Sequence, residues 1–292
     1  MKKNIVFLAV LISFFCGCDK IAPPYIQLDD NRVKSLTMAE FDSIASVLDL
    51  STVYRKFLFE EFTGTRCTNC PDGHQELKNL KIIFGDTMIT IGIHASSLAE
   101  PNNEYPYDFR VEEGKQLYVD FVGSYVPFGV LNRTSYSGND VKIPPLSDAW
   151  KNAIQQRDTA VYAAIQIINQ YDEQRQAVVS NAKITMLQDY PNPLYVAFYI
   201  IEDKIIKPQL NHGVHIPNYE HSHVLRGSMN GTYGKPLNGS GILPKDTACI
   251  MAYRKSFYGK DWVKENCQVV VFLRDNTTGK VLQVEEVAVI EE

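Results

Sequence analysis

Two cysteines two residues apart, Cys67-Thr68-Asn69-Cys70, follow a run that reads as a buried strand, Phe57-Leu58-Phe59-Glu60-Glu61-Phe62, and precede a helical pattern over residues 73–83. A pair so placed at a strand-to-helix junction puts the first sulfur at the helix N-terminus. There the unpaired backbone N–H groups and the positive dipole end favour a thiolate. The same sulfur can bond its neighbour one turn in, which is what thiol–disulfide exchange requires. The residues alone leave a second reading open, a structural disulfide that never turns over. A zinc site needs a second ligand pair at suitable spacing, and the next cysteines, Cys249 and Cys267, are far downstream, so no metal is expected here. No cofactor is expected either.

The amino end reads Met1-Lys2-Lys3, then an apolar stretch over residues 5–15, then Cys16-Gly17-Cys18-Asp19. A short basic region followed by an apolar stretch too short to span a bilayer is a secretory signal. A cysteine after a small residue at its end resembles the cleavage site of bacterial lipoproteins. Cys18, preceded by Gly17, fits better than Cys16, preceded by Phe15, although Phe15 also stands where the usual pattern has leucine. The expected layout is a lipoprotein signal peptide over 1–17 with lipidation at Cys18, then a tether and short helix over 18–50. The net charge of −5 offers no basic face for nucleic acid. An exported chain meets an oxidising compartment, where disulfides are allowed.

Thr37-Met38-Ala39-Glu40 has the form of a capping box, and Phe41, Ile44, Val47 and Leu48 share one helical face, which predicts a helix over 38–48. Over 51–157 the patterns alternate strand, helix, strand, helix, strand, helix, which predicts an α/β domain. Its strands fall at 56–62, 88–93 and 126–131, its helices at 73–85, 111–121 and 147–157. Over 158–292 the period changes to two, with turn residues between strands at 161–169, 178–187, 195–201, 247–254, 268–273 and 280–289. That pattern predicts an all-β antiparallel sandwich of immunoglobulin-like type. Residues 207–244 read as a long polar irregular stretch, longer than a compact domain carries without purpose.

The segment Glu61-Phe62-Thr63-Gly64-Thr65-Arg66-Cys67-Thr68-Asn69-Cys70-Pro71 resembles the active-site segment of the thioredoxin superfamily. The resemblance implies a thioredoxin-like fold for 51–157, with Cys67 as nucleophile and Cys70 as resolving thiol. It also implies that Glu61, six positions before Cys67, is a buried acid that takes the proton of Cys70. A cis-proline opening a later strand and facing the disulfide is implied at Val126-Pro127, with Val126 and Arg66 lying against the substrate. Two departures stand out: Thr68-Asn69 replaces the usual Gly-Pro between the cysteines, and Arg66 replaces an aromatic residue, bringing a positive charge that favours the thiolate. More narrowly, the whole chain is similar to a family of thioredoxin-like surface lipoproteins of Bacteroidetes named for a 28-kDa outer-membrane antigen. That similarity rests on Glu-Phe-Thr-Gly before Cys67, on Cys70-Pro71, and on His223-Val224-Leu225-Arg226. It implies an outer-membrane lipoprotein, on the periplasmic or the surface face.

Four of the six histidines, His212, His215, His221 and His223, cluster in the long polar stretch, but their spacing fits no metal signature. Cys249 and Cys267 sit on two predicted strands. If those strands pair a disulfide joins them, and otherwise both are buried thiols. The reading that follows is a lipid-anchored thiol–disulfide oxidoreductase acting on a protein disulfide or dithiol. Its alternative is a non-enzymatic surface lipoprotein whose thioredoxin-like half is a scaffold and whose sandwich binds a partner.

Overall fold

The computed structural model describes residues 35–138, 140–145 and 148–290; the expected signal peptide, Cys16, Cys18 and most of the tether lie outside them. The capping box forms: Glu40 accepts from the Thr37 backbone N–H at 2.8 Å and donates its own N–H to Thr37 Oγ1 at 3.3 Å. The helix it starts, α1 (Met38–Ile44), is one turn shorter than expected and buries only Phe41. Ile44 and Val47 stay exposed, because no layer packs on the rest of that face.

The α/β half is built on four strands. β1 (Phe57–Thr63) runs parallel to β2 (Met88–His94), while β3 (Phe128–Leu131) pairs antiparallel with β1 and with the two-residue β4 (Lys142–Ile143). Between them come α2 (Cys70–Phe84) and α3 (Glu112–Phe121), and α4 (Ala149–Gln155) follows. Every residue of β1 and β2 is buried, as expected of central strands covered on both faces. Phe57 and Phe59 pack with Leu77 and Leu80 of α2 and Trp150 and Ile154 of α4. Leu58 and Phe62 point the other way, to Leu117 of α3 and to side chains of the second half such as Tyr199 and Phe272.

The second half has two antiparallel layers. β5 (Ala163–Asp172), β6 (Ala177–Met186) and β12 (Ala248–Ser256) form one. β7 (Leu194–Glu202), β10 (Val224–Ser228), β13 (Cys267–Asp275) and β14 (Val281–Ala288) form the other. Alternation along β7 sends Val196, Phe198 and Ile200 against the three-stranded layer and Tyr199 and Ile201 into the core shared with α3.

No gap between sheets marks the expected boundary at 157/158. β10 lies parallel to β2, with Val224 opposite Gly92 and the Gly92 N–H donating to His223 O at 2.7 Å. The result is a continuous sheet, β14-β13-β7-β10-β2-β1-β3-β4, and the described residues form one compact unit. The strand that makes the join comes from His223-Val224-Leu225-Arg226, inside the stretch expected to be irregular. That stretch holds more: β8 (Ile205–Asn211) and β9 (Val214–His221) form a hairpin, and β11 (Lys235–Pro236) pairs with β7. The hairpin turns at His212 and Gly213, both in the left-handed region at φ 46° and 80°. Its strands carry Pro208 and Pro217, and buried positions are few and unevenly spaced, so the period-two signal is weak.

One buried ion pair sits where the halves meet. Arg133 holds Glu60 through two hydrogen bonds of 2.6 and 2.9 Å, with both side chains at most 1% exposed. Phe121 of α3, Tyr233 and Phe272 stand around the guanidinium.

Candidate functional site

β1 ends at Thr63, and the chain crosses Gly64–Asn69 before α2 begins at Cys70 with Pro71 in its first turn. Cys70, not Cys67, therefore opens the helix. Cys67 stands in the turn before it, and its carbonyl accepts the Cys70 N–H at 3.4 Å. The two are joined in a disulfide with Cα atoms 5.4 Å apart. Both are buried, Cys67 retaining 2% exposure and Cys70 none. Across from them the Val126–Pro127 peptide is cis, and Val126 O lies 3.6 Å from Cys67 Sγ. A groove of about 530 Å³ runs past Pro127, lined also by Asn69, Gly73, Tyr125, Pro145 and Trp150.

Two neighbouring segments hold the cysteine loop. Arg66 donates its N–H to Leu98 O at 3.0 Å, and its guanidinium is bonded to Ser97 O. The charge expected to favour the Cys67 thiolate is thus tied to the loop after β2. Gly64 lies so close to that loop that a Cβ would come within 2.8 Å of the Leu98 backbone, which explains the glycine in Thr-Gly-Thr. From the second half, the β8–β9 hairpin clamps the other side. Leu210 N donates to Thr65 O at 2.8 Å, His212 N to Thr68 O at 2.9 Å, and Gly213 N to Thr68 Oγ1 at 2.9 Å. The buried Gln209 amide donates to Gly64 O at 3.2 Å and Cys67 O at 3.1 Å. A polar stretch far along the chain thus completes the cysteine loop.

Glu61 is 2% exposed, and its Oε1 has no hydrogen-bond partner. It lies under the first turn of α2: a Cβ on Gly73 would come 2.7 Å from Glu61 Oε1 and would push on the carboxyl. Burial holds its carboxyl well above the usual range and favours the neutral acid. His74 Nε2 stands 3.6 Å from the same oxygen and 3.0 Å from Thr63 Oγ1, while its Nδ1 lies 2.7 Å from the Tyr219 hydroxyl of β9. Glu61, Thr63 and His74 face a cavity of about 380 Å³ that also reaches His94, His221, Lys81 and His223. Burial drives the imidazoles towards the neutral form, His74 to about 3, His221 to about 4 and His94 well below its ordinary value. His74 and Tyr219 carry no signature in the sequence; the signal that was available is the i+4 spacing of His74 from Cys70.

The downstream histidines spread apart. His212 pairs with Asp72 at 3.0 Å, His215 with Glu104 at 3.1 Å and His223 with Asp203 at 3.2 Å, while His221 packs against His94 and Tyr219. Among the described residues no three His, Cys, Asp or Glu side chains are arranged to hold a metal ion. Cys249 and Cys267 do not form a disulfide. Both thiols are free, because β12 and β13 belong to different sheets and never pair.

Comparison with known proteins adds family and fold. The profile of the family described as outer membrane protein Omp28 matches residues 114–292, from within α3 to the end of the chain. Cys67 and Cys70 lie upstream of that match. None of the curated proteins compared matches the chain. Among solved structures, HBP35 of Porphyromonas gingivalis is similar at a TM-score of 0.63 and 14% identity, over 81% of this chain and 76% of that one. A domain of the outer membrane lipoprotein Omp28 from Porphyromonas gingivalis aligns at 23% identity and a TM-score of 0.31, over 44% of this chain and 88% of that one. No helix among the described residues is long and apolar enough to cross a membrane. With well over half of its length matched by the family profile, the chain belongs to the outer membrane protein Omp28 family.

Proposed function

We propose that the protein is a lipid-anchored thiol–disulfide oxidoreductase of the outer membrane, with a thioredoxin-like redox half and a sandwich half that completes the site. The observation that carries this reading is the Cys67–Cys70 disulfide at the head of α2, with Val126 O 3.6 Å from Cys67 Sγ and the unpartnered Glu61 carboxyl under the same turn. In the reduced protein the Cys67 thiolate attacks a substrate disulfide, forming a mixed disulfide and releasing one substrate thiolate. Glu61, once it has given up its own proton, takes that of Cys70, and the Cys70 thiolate attacks Cys67 Sγ. The protein disulfide re-forms, and the second substrate thiolate leaves with the electron pair. The groove past Pro127 receives the substrate backbone beside Val126, and Arg66 orders the loop rather than touching the substrate. Acyl chains on Cys18, contributing about 0.8 kcal/mol per buried CH₂, hold the protein to the membrane.

The burial of both sulfurs favours one competing reading, a structural disulfide in a scaffold whose sandwich binds a partner. One experiment separates the two. A Cys70→Ala variant expressed in the native host should accumulate covalent complexes through Cys67 that collapse on reduction. A variant that accumulates none, while its Cys67 stays accessible to an alkylating reagent, would establish the scaffold.

A further inference from the structure

Under the redox reading, Glu61 rests as the neutral acid, and its proton must leave before the carboxylate can take one from Cys70. Glu61 is buried, and its Oε1 bonds nothing. His74 is the polar side chain beside it, with Nε2 3.6 Å from Oε1. The opposite ring nitrogen, Nδ1, lies 2.7 Å from the hydroxyl of Tyr219, which is only part-buried on the outer strand of the hairpin. Thr63 Oγ1, 3.0 Å from Nε2, fixes the ring between them.

We propose that His74 and Tyr219 form the proton exit of Glu61, so that the hairpin of the second half supplies a working part of the redox site. The inference rests on the redox reading above. His74 acts as a relay: its Nε2 takes the proton from Glu61 as its Nδ1 gives one to the Tyr219 oxygen, whose own hydroxyl proton passes to water, so that both rings are neutral before and after. A ring held neutral by burial suits that role, because it passes a proton without storing one. The 3.6 Å first link is longer than a hydrogen bond, and the adjoining cavity leaves the side chains room to close it. The other groups facing the pair are Lys78 and Lys81 from α2, His94 from β2, and Glu220, His221 and His223 from the hairpin and the residues after it. These surroundings are the same in both variants proposed below.

The test follows resolution in the purified reduced protein, in a Cys249→Ser background, with one equivalent of dithiobis-nitrobenzoate. Attack by Cys67 releases one nitrobenzenethiolate, and attack by Cys70 on Cys67 releases the second. Two electrons pass from the cysteine pair to the probe disulfide, and the Cys70 proton goes to Glu61. His74→Gln is expected to slow the second phase about tenfold near pH 6.5 and to leave the first phase alone. The rates should converge above about pH 9, where hydroxide can take the proton directly. Tyr219→Phe, which removes one hydroxyl from a part-exposed ring and leaves the fold intact, should slow the same phase less, with the same pH dependence. Second phases equal to wild type in both variants overturn the relay, and so does equal slowing of both phases at every pH. A wild-type protein that releases no second thiolate overturns the redox reading itself, and the relay with it.

Discussion

In a Glu61→Gln variant the buried carboxyl is replaced by an amide of the same shape that cannot titrate. In the folded oxidised protein burial keeps Glu61 protonated well above the usual carboxylate range, whereas in the unfolded chain it ionises near pH 4.3. The folded state therefore holds one proton more than the unfolded state between those two values. Its stability is full below the unfolded pKa and declines as the pH climbs towards the folded one. The slope approaches about 1.4 kcal/mol per pH unit between the two pKa values, so the wild type should lose stability relative to the variant from about pH 5 to about pH 7. A slope of that size is a sizeable part of the total stability of a typical domain for each pH unit. The buried histidines carry their own pH dependence, but they are the same in both proteins and cancel in the difference. Guanidinium unfolding of both oxidised proteins at the two pH values measures it. A wild-type-minus-variant difference that stays constant with pH would refute the neutral buried acid, and with it the need for a proton exit from Glu61.

Arg133→Met should destabilise the fold by about 3–5 kcal/mol in denaturant unfolding, because it leaves Glu60 buried and uncompensated; adding Glu60→Gln should recover most of the loss. Gln209→Ala withdraws a buried donor from Gly64 O and Cys67 O, each of which keeps one backbone N–H, so the expected loss is about 1–2 kcal/mol. The same variant should let dithiothreitol reduce the Cys67–Cys70 disulfide faster than in wild type, read by alkylation and mass spectrometry. Cys18→Ser should abolish fatty-acid labelling and release the protein from membranes, whereas Cys16→Ser should retain both, as fractionation of labelled cells would show.

What could be read from the sequence was local. The apolar run of β1, the helix after Cys70, the Thr37–Glu40 box and the strands flanking short turns all carry their information within a few residues. The hairpin could not be read that way. Its two prolines and half-exposed strands carry little periodicity, and the partners that order it, Thr65, Cys67 and Thr68, lie about 140 residues away in sequence. His74 was visible as part of a helix, yet its role depends on Tyr219, equally remote. Residues 223–226 could be quoted as a motif, but nothing in their chemistry says that they join two sheets. The two-residue β4 is too short to show any pattern, and it is held by pairing with β3 and by the Trp150 indole N–H to Ile143 O at 3.0 Å.

The join between β10 and β2 limits how a gene of this kind can be cut and recombined. Stopping the chain after α4 would strip β2 of its outer neighbour and leave a bare strand edge. It would also uncover Leu58, Phe62, Ile91 and Ile93, whose shared core includes Tyr199, Leu225 and Phe272. Such a fragment is a template for aggregation rather than a portable redox module.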